Sequence, residues 1–235
     1  MDLKNKRVLI TGSGRGLGKA TALLLGKYGL RVVVSARTES EIIEVANQIK
    51  KSGGDAIAIP CDITDTDSVK KLFENIEDVY GGIDILINNA GIGIFKSIEN
   101  LESEEVEQML SVNLLGTFNC SKEALKKMKQ EKQGHIINVI STAGKKGKEN
   151  ESGYCASKWG VVGFTECLRL EGKPFGIRVT SFIQGGMDTS FWSSEENKKY
   201  QPQSNCFMKP DYVAKQLLKV INAKNNMDEV VIKRK

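Results

Sequence analysis

The residues best suited to chemistry lie in one stretch, from Ser141 through Tyr154 to Lys158, written STAGKKGKENESGYCASK. It holds a hydroxyl, a phenol and an ammonium, with Tyr154 and Lys158 four residues apart. The residues after the tyrosine, CASKWGVVGFTECLRL, repeat apolar side chains at helical spacing. Side chains four apart share a helix face, so phenol and ammonium are expected to be neighbours. A free tyrosine has a pKa of about 10 and is a poor acid or base near neutrality. A nearby cation stabilises the phenolate and brings that pKa toward the working range. Ser141 leaves a β-rich run, HIINVIS, and could supply a second hydroxyl to hold a substrate oxygen. The tyrosine–lysine spacing also arises by chance on helix surfaces, so its weight depends on the elements that position it.

The first of those elements is RVLITG, a buried-strand pattern, followed by the glycine cluster GSGRGLG and an apolar helix, ATALLLGKY. Strand, glycine turn and helix together present helix N-terminal N–H groups to a phosphate. The NTPase phosphate loop is disfavoured, because Ser13 stands where its first glycine belongs and Ala20 follows Lys19. GxGxxG fails as well, with Leu17 and Lys19 on its third glycine. The pattern present is TGxxxGxG: Thr11, Gly12, Gly16 and Gly18. A tight turn without a ligand is the plainer reading.

The second strand, LRVVVSAR, ends at Ala36-Arg37-Thr38, where a dinucleotide-binding βαβ unit reads the adenosine ribose. An acidic residue there would suit the free 2′-hydroxyl of NAD. Arg37, with Arg15 in the glycine loop, suits a 2′-phosphate instead, so NADP(H) is expected over NAD(H); two solvated surface arginines are the alternative. A helix (SEIIEVANQIKKSG) and a third strand (DAIAIPCDIT) follow. Asp62 could accept a hydrogen bond from an adenine amino group, or only cap a turn or the next helix. A fourth strand, IDILINNAG, ends in Asn88-Asn89-Ala90-Gly91, small and amide residues able to line a cofactor crevice or to form a simple turn.

In this order and approximate spacing, TGxxxGxG at Thr11–Gly18, NNAG at Asn88–Gly91, Ser141 and YxxxK at Tyr154–Lys158 resemble the classical short-chain dehydrogenase/reductase family, from Lys6 to about Val231. The resemblance implies a doubly wound Rossmann-type α/β fold: one domain over 1–235, with a parallel sheet of about seven strands in the order 3-2-1-4-5-6-7 flanked by helices. It implies catalysis by Asn113, Ser141, Tyr154 and Lys158. In similar enzymes the asparagine matching Asn113 bends its helix and holds a water linked to the lysine; a satisfied core asparagine is the other reading. Cofactor contacts are implied for Gly12, Ser13, Arg15, Gly16, Leu17 and Gly18, for Arg37, Thr38, Asp62 and Ile63, and for Asn89, Ala90 and Gly91. Tyr154, Lys158, Gly185 and Thr189 complete that set, with Thr189 near the nicotinamide carboxamide. Ser141, Phe95 and Trp192 are the candidate substrate contacts. The chain departs from the family at Gln184-Gly185, where a Pro-Gly pair is usual.

Residues 187–209 read as a substrate lid in which Phe191, Trp192 and Tyr200 could cover an apolar substrate or merely pack the lid down. Lys145, Lys146 and Lys148 form either a solvated charge cluster or an attraction for an anionic substrate or carrier domain. Family resemblance also implies a homotetramer or homodimer, with helices near 105–131 and 153–173 as interfaces.

The totals narrow the function classes. With 235 residues, 34 Lys and Arg against 29 Asp and Glu, and scattered basic residues, the +5 charge is mild and nucleic-acid binding is not expected. Five cysteines (Cys61, Cys120, Cys155, Cys167, Cys206) without a CxxC pair suggest free thiols. His135 is the single histidine, leaving little material for histidine triads or His-built metal sites, and no metal is expected. The start MDLKNKRVLITG shows no signal-peptide pattern and no apolar run reaches membrane-spanning length, so a soluble cytoplasmic protein is expected.

The sequence reading is therefore an NADP(H)-dependent oxidoreductase acting on a ketone or aldehyde, or on a secondary alcohol. A 3-oxoacyl-acyl-carrier-protein reductase is a rival, with Gly153 and the absence of a glycine-rich tail against it. A non-catalytic NADP(H)-sensing regulator is the rival from another class.

Overall fold

The computed structural model describes residues 3–193, 197 and 207–233. Its strands are the aliphatic and β-branched runs of the sequence: β1 (Arg7–Thr11), β2 (Arg31–Ser35), β3 (Asp55–Ala58), β4 (Ile85–Asn88), β5 (Gly134–Ser141), β6 (Ile177–Gln184) and β7 (Glu229–Ile232). They form one parallel sheet in the order β3-β2-β1-β4-β5-β6-β7, as the family resemblance implied. Alternate residues serve opposite faces. Val8, Ile10, Val32 and Val34 pack under α1 (Gly16–Lys27), α2 (Glu39–Lys51) and the final helix α7 (Pro210–Asn222). Leu9, Val33, Leu86 and Ile136 pack under α3 (Thr66–Tyr80), α5 (Gly116–Glu131) and α6 (Ser152–Gly172).

Buried polar side chains tie that second layer down. Asn88 Nδ2 donates to Ser121 Oγ and to Asn138 Oδ1, both at 2.8 Å, and Asn138 Nδ2 donates to Thr165 Oγ1 at 2.8 Å. The chain β4–β5–α6 is thus fixed in register beneath the site, with α5 held to it through Ser121.

The helical segment 103–131 is continuous but altered in its middle. α4 (Ser103–Leu110) passes into a π-helical turn, Ser111–Leu115, before α5. The extra residue in this turn rotates α5 relative to α4 and turns the polar Asn113 inward, where it is buried. α3 is capped by Asp65, which accepts from the Asp67 N–H at 2.9 Å, and not by Asp62.

The strand order reverses between β1 and β4, the place where open parallel sheets leave a crevice at the strands' carboxyl ends. The turn after β4 closes that crevice against the glycine loop. Thr11 Oγ1 accepts from the Asn89 and Ala90 N–H groups at 3.0 and 3.1 Å, and Asn89 Nδ2 donates to the Thr11 carbonyl at 2.9 Å.

Candidate active site

Ser141 ends β5, and its Oγ accepts from the Ala143 N–H at 3.1 Å, starting the short turn Thr142–Gly144. Two residues into α6 stands Tyr154, with Lys158 one turn further, both buried. The lysine Nζ lies 5.7 Å from the centre of the tyrosine ring. Phe95 meets that ring edge-on at 5.4 Å and Phe191 lies 6.0 Å from it.

The protonation balance differs from the sequence expectation. Burial pushes the Tyr154 phenol above its ordinary value; a hydrogen bond with Ser141 opposes that, and the nearby Glu151 adds to it. Burial acts on Lys158 too and lowers its pKa to about 8. Sequence spacing foresaw the neighbours but not their removal from water, and desolvation dominates both groups.

Asn113 reaches this pair through structure. Its Oδ1 accepts from the Ile92 N–H at 2.8 Å, and its Nδ2 donates to the Ile92 carbonyl at 2.9 Å and to Ser157 Oγ at 2.9 Å. Ser157 Oγ in turn donates to the Tyr154 carbonyl at 2.7 Å. The π turn, the loop after β4 and the first turns of α6 are thereby locked together. The satisfied-asparagine reading describes these contacts.

One cavity of about 350 Å³ runs along the strand ends and brings most of the named residues together. At one end it is lined by Arg15, Gly16 and Leu17, by Arg37, Thr38, Asp62 and Ile63, and by Gly12. At the other stand Ser141, Tyr154, Lys158, Phe95 and Trp192, with Asn89, Ala90, Gly91, Gly185 and Thr189 between. Gly12 has φ +62°, and a Cβ there would lie 2.8 Å from the Ala90 Cα, so the close approach of the two turns needs a glycine. α1 begins at Gly16 and points its free N–H groups into the cavity's basic end.

Three named residues do not line the cavity, each for a physical reason. Ser13 is turned into the sheet: its Oγ donates to the Ile10 carbonyl at 2.8 Å and accepts from the Ser35 N–H at 2.8 Å, while its own N–H donates to the Ser35 carbonyl at 3.1 Å. The Ser13 hydroxyl and N–H thus hold β1 to β2. Gly18 serves packing, since a Cβ would come within 2.6 Å of Asn89 Nδ2. Asn113 acts from behind the wall. Asp62 lines the cavity, and its Oδ1 accepts from the Thr64 N–H and hydroxyl at 2.9 and 2.7 Å, closing the turn considered for it. Burial pushes its carboxyl up, but those two bonds and the Arg37 charge together hold it below the usual range.

Sequence reasoning missed Glu41, which lines the cavity, and gave Gln184 no role there; Ile92, Lys148 and Glu151, from the segments expected to shape the pocket (92–97 and 142–152), line it as well. Glu151 stands three residues before Tyr154, a spacing that would have placed it on the same helix face. Burial pushes its carboxyl up, although the Lys148 ammonium at 3.4 Å opposes this. Lys145 pairs with Glu229 at 2.5 Å and Lys148 with Glu151 at 3.4 Å, so of the three lysines these two are ion-paired, Lys148 within the cavity wall. His135 lies at the opposite end of β5, bonded through Nε2 to Thr180 Oγ1 at 2.9 Å, and burial lowers its pKa to about 3.

The wall over Tyr154 is aromatic. Phe191 and Trp192 sit on a short turn capped by Thr189, and Trp192 Nε1 donates to the Met187 carbonyl at 3.0 Å. Asn197 Nδ2 donates to the Gly93 carbonyl at 2.7 Å, which pins this wall to the loop after β4. Tyr200, Cys206 and much of the 187–209 segment lie outside the described residues. Cys61, Cys120, Cys155 and Cys167 are free thiols. Among the described residues no helix is long and apolar enough to cross a membrane, and no cluster of His, Cys, Asp and Glu could hold a metal ion.

Residues 6–200 match the family model described as short chain dehydrogenase. The chain is 34% identical over 230 residues to the ketoacyl reductase HetN of Nostoc sp., covering 98% of this chain and 79% of the relative. It is 36% identical over 195 residues to a 3-oxoacyl-[acyl-carrier-protein] reductase of Synechocystis sp., covering 83% and 78%. Among solved structures, an alcohol dehydrogenase from Thermococcus sibiricus complexed with 5-hydroxy-NADP superposes with a TM-score of 0.90 at 26% identity, over 98% of this chain and 97% of that one. An actinorhodin polyketide ketoreductase with NADPH gives 0.88 at 29% identity, over 97% and 96%.

Proposed function

The chain belongs to the short-chain dehydrogenase family of oxidoreductases, and from that premise we propose that it is an NADP(H)-dependent carbonyl reductase acting on a ketone or aldehyde. The observation that carries this reading is the convergence of Ser141, Tyr154 and Lys158 on one end of a cavity whose other end bears Arg15 and Arg37. NADP(H), when bound, supplies the hydride. Two guanidiniums beside exposed helix N–H groups suit its 2′-phosphate and pyrophosphate, and the NADP- and NADPH-bound solved relatives support the same choice.

This chain's own residues position the substrate and move the proton. Ser141 hydrogen-bonds the substrate oxygen. Tyr154, kept neutral by burial, donates its proton to that oxygen. Lys158 stabilises the tyrosinate left behind and binds the nicotinamide ribose. Asn113 acts by position, since its amide is already engaged by Ile92 and Ser157. The aromatic wall of Phe95, Phe191 and Trp192 excludes water over the reacting end. The protein works as a single-domain homo-oligomeric enzyme.

A second reading, 3-oxoacyl thioester reduction, is favoured by the names of the Nostoc and Synechocystis relatives. NADPH consumption on a panel of simple ketones, aldehydes and acetoacetyl-pantetheine thioester tests both. Turnover across simple carbonyls supports the general reductase, and turnover confined to the thioester supports the second reading. Tight NADPH binding with no turnover on the whole panel would contradict both and favour a sensor.

A further inference from the structure

Gln184 is the last residue of β6 and pairs in register with Ser141, the last residue of β5. Register partners on neighbouring parallel strands point to the same face, about 5 Å apart. The glutamine side chain therefore shares the side of the sheet from which Ser141 meets Tyr154, and both residues line the cavity. The proline usual here in the family would bring neither donor nor acceptor on its side chain. Glutamine brings both, and the described protein leaves its amide oxygen unused: Oε1 is buried with no hydrogen-bond partner. An orphaned amide oxygen in a ligand cavity destabilises the site unless a ligand supplies the donor.

Resting on the hydride-transfer reading above, we propose that Gln184 Oε1 accepts a hydrogen bond from the carboxamide N–H of the bound nicotinamide. The carbon that receives the hydride carries the oxygen held by Ser141 and Tyr154, so the nicotinamide ring belongs at the Ser141 end, beside Gln184. Thr189 Oγ1 accepts from the Phe191 N–H at 3.3 Å and keeps a lone pair and its own hydrogen for the same carboxamide, whose two N–H groups can be shared between Thr189 and Gln184. Two further unpartnered oxygens belong to the cavity wall: Ser35 Oγ, at the end of β2 beside Arg37, and Glu151 Oε2, which has the Lys148 ammonium 3.4 Å away. Gln184 is thus a cofactor-positioning residue that compensates for the missing proline by gripping the ring's substituent.

The test is a binding titration, followed by nicotinamide fluorescence, with NADPH and with its 3-acetylpyridine analogue, which has no carboxamide N–H. The wild-type protein should prefer NADPH by roughly tenfold, the scale of one hydrogen bond to an otherwise unpaired buried acceptor. In Gln184→Leu, and in Gln184→Pro with the usual family residue, that preference should fall below about twofold. The affinity for 2′-phospho-ADP-ribose, which lacks the pyridine ring, should stay as in the wild type and so report an intact adenosine end. An unchanged preference in both variants overturns the proposal while leaving the reductase reading standing. Failure of the wild-type protein to bind NADPH at all overturns both.

Discussion

Tyr154 and Lys158 sit one helical turn apart and almost sealed from water, so each is pushed toward its neutral form. For the phenol this is the form that donates a proton. For the lysine it means that the ammonium, with a pKa of about 8, is only just retained at neutrality. Below pH 8 the cation is present and stabilises the tyrosinate formed on reduction; above it the cation is lost. The reductive kcat should therefore decline as pH rises through about 8, and a profile flat from roughly pH 7 to 10 would contradict this role. At the other end of the cavity, Arg15→Ala and Arg37→Ala should each weaken NADPH binding by roughly tenfold to a hundredfold, the scale of a charge-assisted phosphate contact. NADH binding should change much less. Equal loss for the two cofactors would mean that the arginines are surface charges.

Among the elements, the π turn at Ser111–Leu115 lends Val112 to the cavity wall and positions the site through Asn113 behind it. Asn113→Ala removes the partners of the Ile92 backbone and of Ser157 together. Stability should fall by about 2 kcal/mol or more, lowering the melting temperature by roughly 4–8 °C. A variant melting within a degree of wild type would show that the lock is not structural. This turn also marks where sequence legibility ends. Strands, helices and the glycine loop could be read because their patterns are periodic or carried by residue type, as in RVLITG and TGxxxGxG. The π turn could not, because it exists to bring Asn113 against Ile92 and Ser157, contacts 21 and 44 residues away. For the same reason the packing roles of Ser13 and Gly18 cannot be read from the sequence. Both belong to the motif, but only the fold decides that Ser13 binds β2 and that Gly18 makes room for Asn89. The direction of the Tyr154 shift escaped likewise, since spacing reports proximity and not burial.

At the scale of the molecule, the seven-stranded sheet separates its two ends: the cavity at the carboxyl ends of the strands, His135 and the Arg7–Asp84 ion pair at the other. The outer faces of α5 and α6 carry Phe118 against Phe164 at 5.6 Å, with Trp159 still 51% exposed. An apolar strip of this kind along two packed helices suits burial against a second copy, the interface expected from the family. Trp159→Glu should shift the assembly toward monomer in sedimentation or size-exclusion experiments; an unchanged assembly would place the interface elsewhere. The claim joining all three scales is that this fold carries out NADPH-driven carbonyl reduction with Tyr154 as the acid. The most direct measurement is steady-state NADPH oxidation on the carbonyl panel by wild type and Tyr154→Phe, with NADPH affinity measured for both. The expected result is turnover by wild type, a loss of roughly 10²-fold or more in the variant, and NADPH binding retained. Turnover in Tyr154→Phe close to wild type would contradict the account.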